Sequence, residues 1–145
     1  MPLTRDEDIA ELLAKARNIA VVGCSDRPDR PSYGVAAFLQ RHGYRMLPVN
    51  PTITGERVHG EFVWRDLGQI GVPIDIVDIF RRPDAAGDAV DQAISAGAKA
   101  VWLQLGVVNE AAAARAEAAG LKVVMDRCIK IELMRLRIPT IQPAD

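Results

Sequence analysis

Two cysteines in 145 residues, Cys24 and Cys128, are too few for a disulfide framework or a four-cysteine zinc site. Neither sign of charge dominates. Lys and Arg total 18 against 19 Asp and Glu, leaving a net charge of -1, which is not the balance of a basic nucleic-acid module. No apolar run approaches the ~20 residues of a membrane span. The acidic start, Met1 to Asp8, lacks the apolar stretch of a signal peptide. A cytoplasmic protein with reduced thiols is therefore expected. Repeats, linkers and low-complexity tracts are absent apart from the alanine-rich run Ala111 to Ala119, which reads as helix.

What remains is the composition of one soluble domain spanning residues 1–145, with 49% hydrophobic and 26% charged residues. Thr4 to Glu7 reads as a capping box ahead of Ile9, Leu12, Leu13 and Ala16 at helical spacing. The apolar run Ile19 to Val22 reads as a strand buried on both faces, ending at Gly23. Ser32 is placed to cap a helix carrying Val35, Phe38 and Leu39, which Gly43 ends. Tyr44 to Val49 is the second strand, halted at Asn50-Pro51, and Thr52 to Gly71 is irregular with a short strand near Val58 to Val63.

Strand Ile74 to Phe80, helix Ala86 to Ala96, strand Ala98 to Leu103, helix Asn109 to Ala119, strand Leu121 to Asp126 and helix Ile129 to Leu136 follow. Repeated βα units with continuous apolar strands predict a single α/β, Rossmann-like doubly wound domain, with a mainly parallel sheet and helices on both faces. Ligands of such a sheet bind at the carboxyl ends of its strands.

The first strand leads into Gly23-Cys24-Ser25, then Arg27, Arg30, Ser32 and Tyr33 at the start of a helix. Backbone N–H groups at a helix start, serine hydroxyls and arginine charge suit phosphate. The dinucleotide pattern G-x-G-x-x-G is broken by Ser25 and Pro28, and the second strand ends in Asn50-Pro51 rather than an acidic ribose partner. No P-loop sequence is present. Phe80, Arg81 and Arg82 end the third strand, offering a ring face and two guanidinium groups. Gln104 and Gly106 end the fourth. Trp102 reads first as core. His42 and His59 stand alone, and no catalytic constellation is visible.

Taken together, Val21 to Ser25, Arg30 to Tyr33, Pro48 to Pro51, Asp75 to Arg81, Trp102 to Gly106 and Asp126 to Cys128 resemble the small stand-alone bacterial CoA-binding proteins. These are similar to the CoA-binding domain of the succinyl-CoA synthetase α subunit. The resemblance implies coenzyme A, or an acyl-CoA, as ligand and partner. It implies that Gly23, Ser25, Ser32 and Tyr33 surround the phosphates, and that Asn50 and Pro51 border the nucleotide. It also implies that Phe80, Arg81 and the stretch Gln104 to Gly106 complete the site. The synthetase carries its phosphorylated histidine in a second domain with no counterpart here, so the expectation is a non-catalytic binding or regulatory module. Two alternatives remain at this point: an NAD(P)-dependent oxidoreductase, and a redox-sensing module using Cys24 and Cys128. The pattern sets no oligomeric state.

Overall fold

Short apolar runs separated by helical, alanine-rich stretches build the fold. The structure, a computed structural model, describes residues 1–142. In chain order it comprises α1 (Asp6–Lys15), β1 (Asn18–Val22), α2 (Pro31–Arg41), β2 (Arg45–Val49), β3 (Arg57–Val58) and β4 (Glu61–Phe62). A 3-10 turn at Leu67–Gln69 precedes β5 (Ile76–Ile79), α3 (Pro83–Ser95), β6 (Ala100–Leu103), α4 (Glu110–Ala118), β7 (Lys122–Met125) and α5 (Ile129–Arg135). The protein is thus an α/β domain with a five-stranded sheet in the order β2-β1-β5-β6-β7. Every pairing in that sheet is parallel.

Alternation along the strands sorts side chains to two cores. Ile19 and Val21 of β1, Ile76 of β5 and Trp102 of β6 face α1, α2 and α5. Ala20, Val22, Val77, Ile79 and Leu103 face α3 and α4. The second layer is thin because α3 and α4 approach the sheet through alanines, among them Ala86, Ala93, Ala112 and Ala116.

After β2 the chain returns to the far side of β1, so the strand order reverses between β1 and β5. That reversal opens a crevice at the strands' carboxyl ends. A parallel bridge between Val49 and Trp64 extends the sheet by one residue beyond β2.

Three local expectations are corrected. The N-cap of α1 is Arg5, and no side chain caps it, so the capping box at Thr4 to Glu7 does not form. Ser32 lies inside α2, behind the N-cap Arg30 and the helix-starting Pro31. Val58 to Val63 is not one strand. Positive φ at His59 and Gly60 turns it back as the antiparallel β3–β4 pair.

Candidate functional site

At the order reversal, a cleft of about 610 Å³ opens on the α2 and α5 face. Its floor is Gly23, Phe80 and Gln104, the residues that follow β1, β5 and β6. Gly23 N donates to Val49 O at 2.9 Å and Phe80 N to Val22 O at 2.9 Å, so the ends of β2, β1 and β5 are knitted together there.

The loop from β1 to α2 supplies the cleft's polar wall. Ser32 Oγ accepts from Ser25 N at 2.9 Å, and Ser25 Oγ accepts from Arg27 N at 3.0 Å. Both hydroxyls act as acceptors inside the loop, which leaves their protons for an acceptor in the cleft. Arg27 lies 3.6 Å from Asp29, an exposed pair of little energetic weight. Arg30 makes no ion pair among the described residues and sits at the uncapped start of α2. A phosphate here would meet hydroxyl donors, a guanidinium and the positive end of an eleven-residue helix.

Asn50 borders the cleft but spends its amide on the protein. Its Nδ2 donates to Cys24 O at 2.9 Å, and its Oδ1 accepts from Thr52 N and Thr52 Oγ1 at 2.9 and 2.8 Å. Asn50 therefore binds the loop after β2 to the loop after β1. Arg65 braces the same segment from behind, its guanidinium donating to Asn50 O at 3.2 Å, to Gly55 O at 2.9 Å and to Ile53 O. Sequence reasoning missed Arg65, because nothing local marks an arginine whose partners are three carbonyls 10–15 residues away.

Replacing Arg65 by Ala is expected to cost ~1–2 kcal/mol of stability, since carbonyls would lose a charged donor on a half-buried loop. Arg65→Lys should recover little of it, because an ammonium cannot fork to all three carbonyls. Urea midpoints unchanged in both variants would contradict that bracing role.

The remaining wall comes from Leu105, Val107, Cys128 and Ile131, with Val35 and Ile53. Gln104 Oε1 accepts from Ile129 N at 3.1 Å, which joins the floor to α5.

The structure therefore brings Gly23, Ser25, Arg27, Arg30, Ser32, Asn50, Phe80 and Gln104 to one cleft. Six other expected residues fall outside its lining. Pro51 and Arg81 line a smaller crevice of about 230 Å³ with Arg65 and Asp88, against α3. Arg82 pairs with Asp84 at 3.4 Å in solvent. Tyr33 turns to the β3–β4 turn, its ring 4.2 Å from that of His59. Gly106 takes a positive φ of 86° and donates its N–H to Asp126 Oδ1 at 2.7 Å.

Cys24 is fully buried under the loop. Burial, followed by the charges of Asp78 and Asp26, pushes its thiol up to about 12. A thiol that holds its proton is a poor redox nucleophile, which weighs against a Cys24–Cys128 sensor. Trp102 is core, with Nε1 donating to Arg127 O at 2.8 Å. Asp78 lies between Val21 and Trp102 in the sheet, one pleat beneath the cleft floor. It is fully buried, neither carboxyl oxygen has a hydrogen-bond partner, and desolvation raises its pKa well above the usual carboxylate value. Among the described residues, no group of His, Cys, Asp and Glu could hold a metal ion, and no helix is long and apolar enough to cross a membrane.

A family described as a CoA binding domain matches residues 17–134. The chain is 41% identical over 124 residues to the uncharacterized protein YneT of Bacillus subtilis (strain 168), covering 86% of this chain and 90% of that one. A hypothetical protein from Pyrococcus horikoshii OT3 superposes with a TM-score of 0.88 at 39% identity, covering 94% of this chain and 96% of that one. The Thermus thermophilus protein cell-free ID.343 superposes at 0.87 with 37% identity, covering 92% and 99%.

Proposed function

Because the chain belongs to the CoA-binding domain family, we propose that it binds coenzyme A, free or acylated, across the cleft at the β1–β5 order reversal. The observation that carries this reading is the β1–α2 loop. Two serine hydroxyls, Arg30 (with no ion pair among the described residues) and the uncapped start of α2 converge there at the polar wall of one cleft. The diphosphate lies over this loop, with Arg30 and Arg27 as counter-charges. The adenosine end lies toward the β2 side, where Asn50, Thr52 and Ile53 line the cleft. Pantetheine runs the other way, over Phe80 and Gln104. The proposed role is that of a binding or regulatory module.

A thermal-shift titration with CoA, dephospho-CoA, NAD, NADP and ATP at equal concentrations tests the reading. A ligand that binds only the folded state adds RT ln(1 + [L]/Kd), about 2.7 kcal/mol at 100-fold excess over Kd. At this chain length that is a rise of roughly 5–11 °C. CoA should give the largest shift. Arg30→Ala should weaken CoA binding by about 1.5–3 kcal/mol, the range for hydrogen bonds to a charged group. A larger shift with NAD or NADP than with CoA would replace this reading by a dinucleotide-binding one.

A further inference from the structure

The cleft is polar at one end and apolar at the other. Among the described residues, the charged side chains lining it are Asp26, Arg27 and Arg30, all from the loop after β1. Two and three strand positions away, roughly 10 and 14 Å at normal strand spacing, the loops after β6 and β7 line it with Leu105, Val107, Cys128 and Ile131. The charged residues nearest that end are held elsewhere. Asp126 accepts from Gly106 N, Arg127 pairs with Glu132, and Lys130 lies over the Phe38 ring.

Leu105 and Ile131 are also among the exposed large hydrophobics, at 63% and 49%. With phosphate over the β1 loop, the thiol end of CoA comes to this apolar end.

Resting on the CoA reading above, we infer that the site is built for CoA thioesters of uncharged, apolar acyl groups, the acyl chain covering Leu105 and Ile131. An apolar chain gains by removing these side chains from water. A terminal carboxylate, as in a dicarboxylic thioester, would be desolvated there without a cation to meet it. The segregation of charge favours this occupant over a second protein copy, because the phosphate end and the apolar end form one continuous cleft.

Calorimetry with CoA, acetyl-CoA, hexanoyl-CoA and succinyl-CoA tests the inference. Each buried methylene should tighten binding ~4-fold, so hexanoyl-CoA should bind at least ~10-fold tighter than CoA and succinyl-CoA no tighter than CoA. Leu105→Ser with Ile131→Ser, both at exposed positions, should bring the ratio of hexanoyl-CoA to CoA affinity within the variant back to about 1. Equal affinity for CoA and hexanoyl-CoA, or a preference for succinyl-CoA, overturns the acyl inference and leaves CoA binding intact. Failure of all four ligands to bind removes the CoA reading itself. A dimer in sedimentation that the double variant dissociates, with hexanoyl-CoA no tighter than CoA, would assign the apolar ledge to a second copy instead.

Discussion

Asp78→Asn is expected to stabilise the protein at neutral pH and to change its stability little near pH 4. The wild-type carboxyl is fully buried and unpartnered, and desolvation raises its pKa well above the usual carboxylate value. In the unfolded chain the same group ionises at its ordinary value of ~3.9. The folded pKa is therefore raised above the unfolded one. As pH climbs past ~4, the unfolded state releases its proton first and gains free energy that the folded state cannot match.

Stability falls by ~1.4 kcal/mol for each pH unit over this window, until the folded group also ionises. Asparagine has no proton to release, so the advantage of the variant should widen with pH across this window. Urea midpoints at pH 4.5, 6 and 7.5 measure it. Parallel profiles for wild type and variant would show that Asp78 titrates as an ordinary carboxylate.

Gly23→Ala should destabilise the protein by more than ~3 kcal/mol, among the larger effects of a single substitution. Gly23 has φ of +82°, and a Cβ there would stand 2.3 Å from the carbonyl oxygen of Phe80. The left-handed conformation alone costs ~1–2 kcal/mol for a residue with a Cβ. The remainder comes from the clash. The atom in the way is backbone at the end of β5, so no side-chain rotation relieves it, and the hydrogen bonds linking β2, β1 and β5 must shift.

Gly106→Ala is the control. Its φ is +86°, yet nothing lies within 4 Å of its Cβ position, so it should lose only the conformational ~1–2 kcal/mol. Equal losses in the two variants, read from denaturant curves, would mean that the close approach of Phe80 contributes nothing. Gly23→Ala should also lose CoA affinity wherever it still folds, because Gly23 and Phe80 are the cleft floor.

The strands were legible where burial on both faces writes a continuous apolar run, as in Ile19 to Val22 and in Ile76 to Ile79. The helix ends at Gly43, Gly97 and Gly120 were legible because each takes the positive φ that glycine adopts freely. The helix starts were less so. Thr4 and Ser32 carry the right side chains for caps, but the chain enters α1 at Arg5 and α2 at Arg30, and packing decided which residue turns. Asp78 gave no warning, since an acid within an apolar run announces neither its depth nor its lack of a partner.

The sequence by itself determined that the chain is a parallel α/β domain, and that the phosphate-suited residues of the glycine-serine loop lie at its strand ends. It did so because backbone burial and loop chemistry are properties of neighbouring residues. Which of these residues share a cleft was decided only in three dimensions. Phe80 and Arg81 are adjacent in sequence, yet strand alternation sends Phe80 to the larger cleft and Arg81 to the crevice against α3. Asn50 shares the larger cleft while Pro51 lies in the crevice alone. Conversely, Ser25, Leu105 and Ile131 are far apart along the chain, and the order β2-β1-β5-β6-β7 sets them around one cavity. The strand order rests on long-range pairing between whole strands, and no local pattern of residues encodes it.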